Sequence, residues 1–287
     1  MADPVLILGG TADARALAAE ILDRWPDRRV IPSLAGRTAA PLKPVGEVVS
    51  GGFGGSEGLA EFLRLEGISA LIDATHPFAD IISNAAVDAA ASAAIPRLHL
   101  TRPPWVFAQN AAVQHMRSIN AAKSALEAGA RRIFLAIGRK EVNQFSDLGH
   151  AAAGRFFLLR FIDPPQNSPE FADFEVLSGR PGGYDEERSI LQQFAIDTVV
   201  AKNGGSDLSR AKIDAALDLG LRVILIDPPA PPPPPHADSV AAAVDWLWQD
   251  RIPLGMLTIL EGNPGSREHR PRGGGWRKDE PERAPGV

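Results

Sequence analysis

Short runs of apolar residues alternate along the chain with longer segments whose apolar positions recur at helical spacing. The runs predict buried strands, and the longer segments predict amphipathic helices. The predicted strands are residues 5–8, 30–34, 47–50, 70–73, 96–100, 133–137, 156–161, 198–201 and 222–226. The predicted helices cover residues 12–24, 59–65, 79–93, 121–128, 186–194, 208–219 and 239–249. Regular alternation of this kind is typical of βα units that build a parallel sheet.

The alternation runs through two series, separated by a proline-containing segment at residues 102–105. A chain of 287 residues is long enough for two α/β units that each bury a core. We therefore predict an α/β protein with two Rossmann-like, three-layer αβα domains, mainly parallel sheets and a cleft between them. Residues 1–115 form the predicted nucleotide-binding domain, and residues 116–249 form the predicted second domain, which contributes to the cleft.

Two segments stand outside the alternation. Prolines occupy positions 228, 229 and 231–235, where their fixed φ and missing N–H predict extended polyproline. This segment is interpreted as a stiff connector, and a ligand for a partner domain is the alternative. Residues 250–287 are rich in Gly, Pro and Arg, with charges of both signs interleaved, and we expect them to form a disordered tail.

The composition of the chain excludes several kinds of functional site and partner. The chain contains no cysteine, which excludes disulfides, thiolate metal sites, iron–sulfur clusters and cysteine nucleophiles. Its six histidines show no ligand-like pairing, so we expect no metal site, and its formal charge of -5 argues against nucleic acid as a partner. No run approaches the roughly 18 apolar residues of a membrane helix, and the first residues lack the basic flank of a signal peptide. We expect a cytoplasmic protein that is not bound to a membrane.

The first predicted strand leads into a glycine turn at Gly9, Gly10 and Thr11. Glycine allows the backbone to approach a pyrophosphate, whose charge is met by N–H groups at the start of the next helix. Thr11 stands where a full dinucleotide fingerprint has its second glycine, so the motif alone is a weak signal. A plain glycine turn, with Thr11 as helix N-cap, is the alternative.

The end of the second predicted strand indicates which dinucleotide binds. An acidic residue there usually holds the ribose 2′-hydroxyl of NAD, and this chain has none. It has Ser33, Gly36, Arg37 and Thr38 instead, and the Arg37 guanidinium is suited to a bidentate contact with the 2′-phosphate of NADP. NADPH is therefore the predicted cofactor. The alternative is that Arg37 is a solvated surface residue.

Two further strand ends carry candidate residues. Residues 51–55 are nearly all glycine, which fits close approach of a ligand at Gly52 and Phe53, although turn geometry and helix capping explain the glycines equally well. Thr75 and His76 follow the fourth predicted strand. Because the carboxyl ends of parallel strands form the ligand crevice, both are candidate catalytic residues, and helix capping is their alternative role.

In combination these motifs resemble those of the precorrin-6A reductase family, over roughly residues 4–249. The matching segments are residues 8–11 (LGGT), 35–38 (AGRT), 51–55 (GGFGG), 73–79 (DATHPFA), 84–85 (NA), 102–105 (RPPW), 136–139 (AIGR), 160–165 (RFIDPP) and 201–205 (AKNGG). Two segments depart from the family pattern. The paired glycines follow Asn203 directly, and residues 178–183 match only loosely the Arg-Gly-Pro-Phe stretch of relatives.

The resemblance implies an enzyme of cobalamin biosynthesis that transfers a hydride from NADPH to C19 of precorrin-6A and adds a proton at C18, giving precorrin-6B. It also implies a cleft that holds a polyanionic tetrapyrrole, for which cationic side chains are suited. The substrate-binding candidates in or beside the matched motifs are Arg102, Arg139, Arg160, Lys202, Asn203 and Gly204. The proton source stays open among His76, a substrate carboxyl and water, and so does the choice between a metal-free and a cobalt-containing substrate.

Three other functions remain as alternatives from the residues alone. A tetrapyrrole methyltransferase would bind S-adenosylmethionine, but such enzymes usually have an acidic residue at the second strand end and no use for Arg37. A non-catalytic NADPH sensor would bind the cofactor without turnover. A reductase of small carbonyls is disfavoured, because the single tyrosine, Tyr184, is followed four positions later by Arg188 and not by lysine. The oligomeric state is not predicted.

Overall fold

The structure of the chain is a computed structural model in which residues 3–36, 42–108, 112–127, 129–150 and 154–249 are described. The expected tail at residues 250–287 lies outside them. The strands, in chain order, are β1 (Val5–Leu8), β2 (Val30–Leu34), β3 (Val49–Ser50), β4 (Ala70–Asp73), β5 (Arg97–Leu100), β6 (Val113–Met116), β7 (Arg132–Ala136), β8 (Phe156–Phe161), β9 (Phe174–Ser178), β10 (Thr198–Lys202), β11 (Arg222–Ile226) and β12 (His236–Ala237).

Eight helices separate these strands in the part of the chain that is described. They are α1 (Ala12–Arg24), α2 (Ser56–Leu65), α3 (Asp80–Ala93), α4 (Ile119–Glu127), α5 (Arg139–Val142), α6 (Tyr184–Gln193), α7 (Asp207–Asp218) and α8 (Val240–Gln249). A 3-10 helix, Asn143–Gly149, continues α5. All ladders between described strands are parallel, as the βα alternation predicts.

The first sheet has six strands in the order β12-β5-β4-β1-β2-β3. Helices α1 and α8 pack on one face through apolar residues such as Leu17 and Val244. Helices α2 and α3 pack on the other face through residues such as Leu59 and Ala86. This strand order is that of a dinucleotide-binding Rossmann sheet, and its switch point lies between β1 and β4.

The second sheet also has six strands, in the order β6-β11-β10-β7-β8-β9. Helix α4 and the 3-10 helix cover one face, with Phe145 packed among strand residues such as Phe157. Helices α6 and α7 cover the other face through Leu191 and Ile213. Trp105, which follows β5 of the first sheet, is buried in this second core. Both sheets confirm the predicted fold class.

In a Rossmann sheet of this order, the sixth strand of the unit follows the fifth in the chain and pairs with it. Here the sixth strand of each series pairs instead with the fifth strand of the other series. β12 follows the second series of strands but pairs with β5, in the register His236↔His99 and Ala237↔Leu100. β6 follows the first series but pairs with β11. The two sheets therefore exchange their outer strands, and the chain crosses between them once after β5 and once after β11.

This exchange differs from the domain bounds expected from the sequence. The boundary between residues 115 and 116 falls inside β6, and residues 236–249, expected in the second domain, join the first sheet and its core. The physical reason is that a two-residue strand has no periodicity of its own, so only tertiary pairing reveals where it belongs. β6, β9, α5 and β12 were not among the predicted elements for the same reason, because each is short or lies partly exposed.

Two features are absent from the described ranges. None of the helices in them combines the length and the apolar composition needed to cross a membrane. The same residues contain no group of three or more His, Asp and Glu side chains arranged to hold a metal ion.

Candidate active site

Thr11 closes the turn between β1 and α1. Its Oγ1 accepts a hydrogen bond from the Ala14 N–H at 3.0 Å and donates one to the Ala74 carbonyl at 2.8 Å. Thr11 is thus the N-cap of α1 and also ties the start of this helix to the end of β4. The cap satisfies one N–H of the first helical turn, so the others stay available to a ligand at the helix N-terminus.

The residues before Thr11 fit a dinucleotide. A Cβ at Gly9 would lie 3.1 Å from the Ser33 carbonyl oxygen and 3.3 Å from Ala14 Cβ, so a side chain there would require the helix or the strand to shift slightly. Gly10 has φ +106°, and nothing lies within 4 Å of where its Cβ would stand. Close helix–strand packing, an open positive-φ glycine and a helix N-terminus are together what a pyrophosphate requires.

The end of β2 lies beside this turn. Ser33 is buried, pairs in register with Leu8 of β1, and accepts the Gly9 N–H at 2.9 Å through its carbonyl. Gly36 has φ +65° and is the last residue described before residue 42. Arg37 and Thr38 lie outside the described residues, so their contact with a 2′-phosphate stays a prediction.

The glycine-rich loop at residues 51–55 has an internal explanation as well. Phe53 packs edge-on against Phe62 of α2, with ring centroids 5.1 Å apart, and its carbonyl oxygen would lie 1.8 Å from a Cβ at Gly58. Gly55 is the N-cap of α2 and has φ +95°. Helix packing and positive-φ geometry therefore account for much of this loop, whereas Gly52 is exposed and open to a ligand.

Asp73 organises the end of β4. This carboxylate is fully buried, and its Oδ1 accepts hydrogen bonds from the Thr75 hydroxyl at 2.7 Å and the Thr75 N–H at 3.1 Å. Its Oδ2 lies 2.9 Å from Nδ1 of His99. Burial alone would raise the pKa of Asp73, but hydrogen bonds from His99, Ser83 and Thr75 hold that pKa below its usual range. Asp73 is therefore ionised at neutral pH.

Asp73, His99 and His236 form a row across three neighbouring strands. Asp73 is in register with His99 of β5, and His99 is in register with His236 of β12. The two imidazole rings meet edge to face, 5.9 Å between centroids. Nε2 of His236 donates to the Pro232 carbonyl at 2.6 Å. The row begins at the Rossmann switch point and extends away from it.

A cavity of about 740 Å³ opens beside this row. Its polar lining includes Asp80, Ser83, Asn84, His99, Arg102 and His236. Prolines of the segment 228–232 form another part of its wall. The volume lies within the range of roughly 300–1,000 Å³ typical of small-molecule sites. The proline segment, which was expected to be a connector, joins β11 to β12, a strand that was not predicted, and it also shapes this cavity.

The second sheet meets the end of β4 at His76. A Cβ at Gly204, just beyond β10, would lie 3.3 Å from Nε2 of His76. Lys202 Nζ lies 4.9 Å from the centre of the Phe78 ring and donates to Glu141 Oε1 at 2.7 Å. Two candidates from the second sheet, Lys202 and Gly204, are thus brought to the loop that carries Thr75 and His76.

Three other substrate candidates have protein partners. Arg102 pairs with Asp13 of α1 and approaches Asp207 at 3.8 Å, although it also lines the cavity. Arg160 is buried and pairs with Glu187 of α6. Asn203 is buried and hydrogen-bonded to Trp105. The remaining candidate, Arg139, is exposed at the start of α5.

The sequence interpretation missed His99, His236 and the role of Asp73. The available signal was an ionisable residue inside a buried strand, since Asp73 and His99 stand among apolar neighbours where a charged group is costly without a partner. Their pairing across two strands, 26 positions apart in the chain, was not visible from local sequence.

Known proteins are similar to this chain in sequence and in fold. The family model described as precorrin-6x reductase CbiJ/CobK matches residues 4–248. A precorrin-6A reductase of Rhodococcus erythropolis is 41% identical over 244 residues, which cover 85% of this chain and 96% of that protein. A cobalt-precorrin-6A reductase of Priestia megaterium is 28% identical over 235 residues, covering 78% and 90%.

A solved structure agrees with these sequences. The structure of CobK precorrin-6A reductase superposes with a TM-score of 0.79 at 37% identity, covering 87% of this chain and 97% of that one. The family match spans both sheets and the exchanged strands. The chain therefore belongs to the precorrin-6A reductase (CbiJ/CobK) family of cobalamin biosynthesis and is a reductase.

Proposed function

We propose that this reductase uses NADPH to reduce the C18=C19 double bond of precorrin-6A, giving precorrin-6B. Family membership implies a nicotinamide cofactor and a tetrapyrrole substrate. The observation that carries the proposal is the 740 Å³ cavity, which is lined by residues that follow β4 and β5 in the same sheet whose β1 turn fits a pyrophosphate.

The proposed binding position of the cofactor follows from the first sheet. The pyrophosphate would lie at Gly9, Gly10 and the start of α1, and Arg37 with Thr38 would hold the 2′-phosphate near Ser33 and Gly36. Gly52 and Phe53 would border the same half of the cofactor. In a sheet of this order the second half of a dinucleotide lies over the fourth and fifth strands, which supports a nicotinamide position beside the cavity.

The bound nicotinamide would supply the hydride, and the protein would orient the nicotinamide and the macrocycle. Thr75 and His76 follow β4, and His76 lies beside Gly204 of the second sheet, so we assign both residues to orienting the nicotinamide and the macrocycle. Correct placement of donor and acceptor carbons lowers the barrier without covalent catalysis.

Cationic side chains near the cavity would bind the carboxylates of the macrocycle. Arg102 lines the cavity, Lys202 lies against Phe78 of the His76 loop, and Arg139 is exposed at the end of a neighbouring strand. Gly204 leaves space beside His76. Arg160 and Asn203 make internal contacts, and their substrate contacts stay predictions.

The metal-free precorrin is the favoured substrate. Identity to precorrin-6A reductases reaches 41%, whereas identity to the cobalt-precorrin-6A reductase of Priestia megaterium is 28%. A titration of the purified full-length chain with NADPH and NADH, followed by addition of precorrin-6A, tests the proposal through the nicotinamide absorbance.

Selective binding of NADPH with oxidation that depends on precorrin-6A supports the proposal. Oxidation with cobalt-precorrin-6A but not with precorrin-6A would replace the substrate. Failure to bind either nucleotide would overturn the cofactor assignment. Binding without oxidation of either substrate would indicate a sensor.

A further inference from the structure

His99 occupies an unusual place for a strand residue. Its side chain is buried, and Nδ1 lies 2.9 Å from Oδ2 of Asp73. Because an ionised carboxylate only accepts hydrogen bonds, the hydrogen of this pair is on Nδ1. The Thr75 hydroxyl and N–H hold the other oxygen of Asp73, so the carboxylate and the imidazole are both fixed in orientation.

The other ring nitrogen of His99, Nε2, is the atom left to act in the cavity that this residue lines. No hydrogen-bond partner of Nε2 is found among the residues that the structure describes. In that part of the chain, Nε2 is not one of the fully buried polar atoms without a partner. It is therefore accessible to solvent. Since the ring lines the 740 Å³ cavity, that access is from the cavity. His236 differs, because its Nε2 is bonded to the Pro232 carbonyl.

Other charged groups surround the ring and enter any pH dependence. They are Asp73 on β4, His236 on β12, Arg97 on β5 itself, and Asp80, Arg102 and Asp238 on the cavity wall. Asp73 is the group that touches the imidazole, and Arg97 is directed to the Pro233 carbonyl at 2.6 Å.

We propose that His99 is the acid that protonates C18 of the macrocycle, a step that rests on the proposed function. The hydride from NADPH forms the new C19–H bond. The π electrons of C18=C19 take the proton of the His99 imidazolium from Nε2 to form the C18–H bond. His99 is left neutral, with Nδ1–H still bonded to Asp73, and regains its proton from water through the cavity. Each turnover thus consumes one NADPH and one proton.

The first test is single-turnover reduction of precorrin-6A by the full-length chain across a range of pH. A histidine acid predicts a rate that falls as pH rises, because only the imidazolium donates. His99→Gln replaces the imidazole by an amide that cannot deliver the proton. It should be slower by about 100-fold and should lose this falling limb of the pH–rate profile, while NADPH binds as before. An unchanged rate and limb in His99→Gln would overturn the proposal, whereas a wild-type chain without turnover would refute the proposed function instead.

His115→Gln is the matched control. His115 makes the same kind of pair, with Nδ1 2.9 Å from Asp227 Oδ1, but it lies on β6 of the second sheet and does not line the 740 Å³ cavity. Its loss should leave the rate and the pH limb unchanged.

Two measurements address variants that fold poorly. Asp73→Asn can still accept from Nδ1, and it should slow proton delivery because the imidazolium loses its ionised partner. Nitrogen-15 NMR of the unliganded chain, with the His99 signal assigned by its absence in His99→Gln, should show the hydrogen on Nδ1 when the ring is neutral. A neutral ring protonated on Nε2, or an Asp73→Asn variant that is as fast as wild type, would contradict the proposal.

Discussion

The side-chain amide of Asn203 and the backbone of Trp105 are joined by two hydrogen bonds. The Trp105 N–H donates to Asn203 Oδ1 at 2.7 Å, and Asn203 Nδ2 donates to the Trp105 carbonyl at 3.2 Å. Nδ2 also donates to Asp227 Oδ1 at 3.0 Å. One buried amide therefore links the end of β10 to both places where the chain crosses between the sheets.

Asn203→Ala should lower the free energy of unfolding by about 2–3 kcal/mol, because the buried N–H and carbonyl of Trp105 lose their partner. Thermal or urea denaturation measures this loss. Gln193→Ala, which removes an exposed amide at the end of α6, is the control and should change stability by less than about 0.5 kcal/mol. Equal stability of the two variants would contradict a linking role for Asn203.

Two glycines, Gly205 and Gly220, distinguish the cost of a steric clash from the cost of a positive φ. Gly205 has φ +69°, and a Cβ there would lie 2.2 Å from the Pro103 carbonyl oxygen. Gly220 has the same φ of +69° with nothing within 4 Å. Gly220→Ala should cost about 1 kcal/mol for its positive φ, whereas Gly205→Ala should cost clearly more, because the backbone of the crossing segment must move. Denaturation midpoints of the two variants decide the point.

Arg37→Ala should weaken NADPH by roughly 10- to 100-fold, the value of a charge-assisted phosphate contact, and should leave NADH within about 2-fold. Fluorescence titration of both nucleotides measures the difference. Arg24→Ala, in the last turn of α1 and paired with Glu20, is a suitable control. Equal losses for NADPH and NADH would refute the phosphate contact.

Lys212 predicts an alkaline change in stability. Burial lowers its pKa to about 8 from an ordinary 10.5, although nearby Glu187 opposes the shift. Between these values the unfolded chain binds more protons than the folded chain, so the free energy of unfolding should rise with pH, by at most on the order of 3 kcal/mol. Urea denaturation should be measured at about pH 7.5 and about pH 10, close to the folded and unfolded pKa values. The free energy of unfolding should rise between them in wild type and should not rise in Lys212→Met. A rise that persists in Lys212→Met would assign it to another group.

The sequence was sufficient for the parallel sheets because buried parallel strands carry continuous apolar runs. β1, β4, β8 and β11 were therefore recognisable with the bounds observed. β6 and β12 were not, since their pairing partners lie more than 100 residues away and their own residues are partly exposed.

The candidate site shows the same division. The turn at Gly9, Gly10 and Thr11 could be predicted because a tight turn restricts residue type locally, and its contact with a cofactor stays a prediction. Arg160 was expected at the substrate, but nothing near it in sequence indicates Glu187, its partner 27 positions away. His99 was overlooked for the corresponding reason, because only the pairing of β4 with β5 brings it to Asp73.

The exchanged strands also set the order in which the chain can be completed as it is synthesised. Every strand of the second sheet, from β6 to β11, precedes residue 227. The first sheet still lacks β12 and α8 at that point, although its other strands emerged from the ribosome first. The half of the protein that is made first is therefore the half that is finished last.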